Sequence, residues 1–67
     1  MTASLLPHRK PDLVQQMKCV RREISMREQV YPRWVVSGKL KQETADYEIE
    51  AMRAVLDTLE AAWKLQK

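Results

Sequence analysis

The residues most able to do chemistry in this chain are few. It has one histidine, His8, and one cysteine, Cys19. A zinc site needs three or four His, Cys or carboxylate ligands at short spacing. His8 stands between prolines with no second His or Cys near it, so neither a metal nor another cofactor is expected. A cysteine nucleophile needs a neighbouring base or cation to hold it as a thiolate. Cys19 has no His within helical reach and reads as a small apolar residue buried at the flank of a core. Glu48 and Glu50, or Glu43 and Asp46, have the look of paired carboxylates for acid–base work. However, Glu43, Asp46 and Glu50 fall with Arg53, Asp57, Glu60 and Lys64 on the polar side of a helical pattern, where a solvated face accounts for them. The single glycine, Gly38, excludes a glycine-rich phosphate loop. The expectation is a protein that is not an enzyme.

Two groups of side chains suit binding instead. Lys18, Arg22 and Arg33, with Gln29 between them, recur at helical spacing, and Arg9 and Lys10 lie upstream. Such spacing matches a phosphate backbone, and a solvated helix face matches it equally. The second group is Tyr31-Pro32-Arg33-Trp34-Val35-Val36. Tyr, Trp and Arg are the residues enriched where binding energy concentrates. The plainer reading has the Tyr31 and Trp34 rings closing a hydrophobic core, with Arg33 and Val36 pointing outward. Tyr47, further along, joins them on an outer flank. The candidate partner-binding residues are therefore Tyr31, Arg33, Trp34, Val36 and Tyr47.

These residues are positioned by two helices. Lys10-Pro11-Asp12 reads as a helix start, with Pro11 in the first turn and Asp12 favoured by the helix dipole. Leu13, Met17, Val20, Ile24, Arg27, Tyr31 and Trp34 then repeat at spacings of four and three, a coiled-coil-like stripe containing one charge. Pro32 removes a backbone hydrogen bond and is expected to kink or loosen the last turn. Ser37-Gly38 ends the helix, since glycine suits the left-handed residue after a helix terminus. A second stripe, Ala45, Ile49, Met52, Leu56, Leu59, Trp63 and Gln66, belongs to a helix starting near Lys41 or Gln42. No run alternates at period two, so no strands are expected.

The fold class that follows is all-α, an antiparallel two-helix hairpin over about 12–36 and 42–65. Residues 1–10 form a flexible arm, and 11–67 a single domain. Pairing the stripes across Gly38 sets Trp34 near Ala45, Tyr31 near Ile49, Ile24 near Leu56, Val20 near Leu59 and Met17 near Trp63. On one outer edge it brings Arg21 towards Glu60 and Glu28 towards Arg53. At about 100° per residue, Cys19, Met26 and Val30 share one flank of the first helix. Ala51, Val55 and Ala62, with Thr44 and Thr58, share the matching flank of the second. The two flanks point to the same side and leave an apolar face without a cover. A second copy is the simplest cover, giving a homodimeric four-helix bundle. The arm, folding Leu5 and Leu6 over the face, is the alternative.

Composition agrees with this picture. At 67 residues the chain is one domain at most, with too little core for a deep pocket. Its 45% hydrophobic content, arranged periodically, excludes a disordered chain. No apolar run reaches membrane-spanning length, and 1–11 lacks the features of a secretory signal. A lone cysteine suits a reducing cytoplasm. Residues 1–41 carry nine basic against three acidic side chains, and residues 42–67 three against six. That asymmetry fits a basic helix lying against an acidic one. Nucleic-acid contacts through Lys18, Arg22 and Arg33 are the alternative use of the basic half.

One segment also supports a resemblance. Cys19 to Ile24, Met26-Arg27-Glu28, Val30 to Val35, Gly38-Lys39-Leu40, Ala45, Glu48-Ile49 and Met52 to Leu59 resemble a family of small bacteriophage and prophage proteins. The likeness covers about 19–59 and is carried chiefly by Tyr31-Pro32-Arg33-Trp34-Val35. Lys41 departs from the pattern, which commonly has a Ser or Thr helix cap at that position. The resemblance implies a phage protein acting in the bacterial host cytoplasm, binding a host protein and blocking its use. Small dimeric inhibitors of transcriptional regulators, quorum-sensing receptors among them, act in that way. It implies no catalytic residue.

Overall fold

The computed structural model describes residues 10–66; the arm over 1–9, with His8 and the fold-over of Leu5 and Leu6, lies outside them. Two helices of equal length make up the described chain, α1 (Leu13–Val36) and α2 (Gln42–Leu65), packed as an antiparallel hairpin. No strand occurs among the described residues.

Helix α1 begins at Leu13, one residue later than expected from placing Pro11 in the first turn, because Asp12 serves as the cap and Pro11 lies outside the first turn. The Asp12 carboxylate accepts from the Gln15 backbone N–H at 2.8 Å, and the Gln15 side chain accepts from the Asp12 N–H at 3.0 Å. This reciprocal pair satisfies two donors that a helix start leaves open. Helix α2 has no such device. Its N-cap is Lys41, extended in backbone but making no side-chain capping bond.

Pro32 does not end α1, which continues past it to Val36. Termination falls to the glycine. Gly38 has φ +83°, the Lys39 N–H donates to the Trp34 carbonyl at 2.8 Å, and the Gly38 N–H donates to the Val35 carbonyl at 3.1 Å. These are the paired bonds of a Schellman turn, which requires a left-handed residue at the glycine position.

The expected register holds in its main lines. Arg21 pairs with Glu60 at 3.2 Å, and Glu28 pairs with Arg53, both on one edge of the hairpin. Ile24 and Leu56 line one shallow recess, and Tyr31, Val35, Ala45 and Ile49 line another. One rung differs from the prediction: Val35, not Trp34, is the half-buried residue lining that recess with Ala45. Three heptads separate Leu13 from Trp34, and a straight helix drifts about 20° per heptad from a 3.5-residue repeat. Trp34 is thereby carried off the stripe towards the flank. Gln66 likewise leaves the stripe and stands exposed as the C-cap of α2.

The hairpin is one layer of helices, and the consequence is a very thin core. Among the described residues only Met17 (5% exposed) and Ala45 (2%) are buried. Each helix has a single neighbour, so most of the apolar stripe keeps one side open to water. Cys19, expected to be buried beside a core, is exposed for the same reason.

Candidate interaction surface

The side chains with the most specific local chemistry surround Arg27, the one charge in the α1 stripe. Its position inside the stripe turns the guanidinium towards α2. There its Nη1 donates to the Glu48 backbone carbonyl at 3.0 Å and reaches the Glu48 carboxylate at 3.3 Å. Its Nε donates to Glu23, one turn earlier, at 2.8 Å. The guanidinium carbon also sits 5.8 Å from the Tyr31 ring centroid, within cation–π range. The Glu23 hydrogen bond raises the Arg27 pKa above its ordinary value; partial burial opposes this, and the charges of Tyr31, Glu23 and Glu48 reinforce it. The side chain is 20% exposed and its carboxylate partners 35% and 44%, so these contacts are only partly desolvated and remain screened by solvent. The sequence marked Arg27 as a charge within the stripe but placed Glu48 with no role beyond a carboxylate pair. The Glu23–Arg27 spacing of four was the available signal.

Tyr31 continues the cluster outward. Its ring stacks on Trp34 with centroids 5.7 Å apart and planes 28° from parallel. Tyr31 is half-buried, whereas Trp34 is 43% exposed. The two rings therefore divide the roles proposed for them: Tyr31 closes the hairpin and Trp34 faces out. Glu23, Met26, Arg27, Val30, Tyr31 and Trp34 line a shallow groove of about 240 Å³ on this side.

The Arg27–Glu48 bridge crosses between the helices on the edge opposite the Arg21–Glu60 and Glu28–Arg53 bridges. It therefore fixes which flanks share a side. The α1 flank of Cys19, Met26, Val30 and Trp34 continues across it into the α2 flank of Thr44, Ala51, Val55, Thr58 and Ala62. Met26 is 50% and Val55 44% exposed, while Val30, Ala51 and Ala62 are half-buried. These side chains gather exposed apolar surface of both helices on one side of the hairpin.

The remaining candidates do not converge with this cluster. Arg33, Val36 and Tyr47 are all exposed. At 100° per residue, Arg33 lies on the outward back of α1 and Tyr47 on the outward back of α2, which separates them across the width of the hairpin. Val36 sits beside the turn, in the last turn of α1. Lys18, Arg22 and Arg33 are exposed and make no ion pair among the described residues, unlike Arg21, Arg27 and Arg53.

Fold and surface together define a class: a two-helix hairpin whose apolar face no other described residue covers, interrupted by one arginine network. Compared with family models, curated proteins and solved structures, the chain matches none. Among the described residues no group of His, Cys, Asp and Glu is arranged to hold a metal ion, and no helix is long and apolar enough to cross a membrane.

Proposed function

We propose that this is a non-enzymatic interaction protein of phage type, which self-associates through its apolar face and binds a bacterial host protein in the cytoplasm. The observation that carries the reading is the exposure of Met26, Trp34, Val36, Tyr47 and Val55 where only Met17 and Ala45 are buried among the described residues. Large apolar side chains left in water on both the flank and the outer faces mean that the protein completes itself by contact with other protein. The flank holding Cys19, Met26, Val30, Ala51, Val55 and Ala62 serves the homodimer. The turn end, with Arg33, Val36 and Trp34 backed by Tyr31, and the outer face with Tyr47 serve the host target. The likeness of 19–59 to small phage proteins supports inhibition or modulation of that target, a transcriptional regulator such as a quorum-sensing receptor being the type it suggests.

Affinity capture from bacterial lysate tests this reading with the wild type beside Arg33→Ala and Tyr47→Ala. A host protein retained by the wild type and lost from either variant is the expected result. Retention of nothing, or equal retention by all three, removes the host-binding reading.

A second reading is favoured by three cations that share one side of α1. Lys18, Arg22 and Arg33 present charge on one side of α1 with no carboxylate partner among the described residues, an arrangement that suits phosphate. Binding of DNA or RNA that weakens steeply with salt and falls on Arg22→Ala supports it, and no binding at about 50 mM salt excludes it.

A further inference from the structure

Two hairpins stacked through this face have two symmetric ways to meet. With the two-fold axis along the helices, α1 of one copy lies on α2 of the other and both turns sit at one end. With the axis across the helices, like lies on like and the turns sit at opposite ends. We infer that the dimer adopts the first arrangement. The inference rests on the reading of the apolar face as the self-association surface.

Charge supplies the first argument. Helix α1 carries five basic and two acidic residues, and α2 carries two basic and six acidic. Placing α1 on the partner's α2 gives every helix neighbours of opposite net charge. The alternative sets a helix of net +3 on its copy and a helix of net −4 on its copy, an unfavourable juxtaposition of like charge.

Side-chain size supplies the second argument independently. The α1 flank carries Cys19, Met26 and Val30, and the α2 flank carries Ala51, Val55 and Ala62. An axis along the helices keeps each residue at its own level in the bundle, so the levels already set by Arg21–Glu60 and Glu28–Arg53 carry over to the partner. Met26 then meets Val55, Val30 meets Ala51 and Cys19 meets Ala62, the larger side chain of α1 against the smaller of α2 at each of these layers, as close packing favours. Stacking like on like instead sets bulk against bulk on one side and leaves a gap on the other.

Spin labels measure the outcome directly. Lys39→Cys in a Cys19→Ala background places one label at each turn of the full-length dimer, and Gln66→Cys in the same background places one at the opposite end. With the turns together, both variants show inter-spin distances below about 30 Å. With the turns apart, both exceed about 36 Å, the length of a 24-residue helix at 1.5 Å per residue. Short distances at both positions, in samples that sediment as dimers, support the inference. Long distances in a dimer overturn the arrangement and leave self-association standing. A folded monomer at about 100 µM overturns both.

Discussion

Removing the Arg27 charge is the sharpest probe of what holds this hairpin in register. Arg27→Met keeps the aliphatic body against Tyr31 and deletes every polar contact of the guanidinium. The Glu23 pair, at helical spacing of four, contributes about 0.3–0.5 kcal/mol. The Glu48 carboxylate, 44% exposed and 3.3 Å away, contributes about 0.5 kcal/mol. The hydrogen bond to the Glu48 carbonyl contributes about 1 kcal/mol, below the usual range for a charged donor because the site is partly wet. Together these amount to about 2 kcal/mol, and Arg27→Ala adds the lost packing and cation–π contact for about 1 kcal/mol more. For a chain this small, 2 kcal/mol lowers the melting temperature by about 8–16 °C. The assay is thermal and urea unfolding by circular dichroism at matched protein concentration, since self-association shifts apparent stability. A Met variant as stable as the wild type, or more stable, refutes the reasoning. It would show that desolvating Arg27 costs as much as its partners return, as happens for some buried ion pairs.

Other perturbations test single links. Gly38→Ala meets no steric obstacle, since nothing lies within 4 Å of the added carbon. It destabilises by about 1–2 kcal/mol through the left-handed backbone alone, and Gly38→Asn loses less in the same melt. Asp12→Ala removes the capping box and costs about 1 kcal/mol, with faster amide exchange confined to the first turn of α1. The same exchange measurement should find the start of α2 less protected than that of α1, because Lys41 supplies no side-chain cap. Val55→Asp puts a charge at the centre of the proposed dimer face. It should convert a dimer to monomer in sedimentation and lower helicity at the same concentration.

How legible the molecule was differs from feature to feature. The helix spans and the turn were readable because their signals are local: Pro11-Asp12 ahead of the first periodic position, Gly38 after the last, and stripes at four-and-three spacing; the reciprocal Asp12–Gln15 cap, which moves the start to Leu13, was not read. The Arg21–Glu60 and Glu28–Arg53 bridges were also readable, because an antiparallel pair of equal helices has one free parameter and the turn sets it. The fate of Trp34 was not. A stripe written at 3.5 residues per turn treats its last member as equal to its first, whereas the accumulated drift of a 3.6-residue helix gives that place to Val35.

Residue types and spacing thus determined two helices, their antiparallel pairing and which flanks share a side, since each depends only on periodicity and on one turn. Tertiary structure decided which charges are structural and which apolar groups stay in water. Arg27 became a bridge because α2 brings the Glu48 carbonyl and carboxylate within hydrogen-bond reach. Cys19, Met26 and Trp34 stayed exposed because a single layer of helices has no second layer to cover them. Burial depends on what lies across from a side chain, and that is set by packing in space and not by position along the chain.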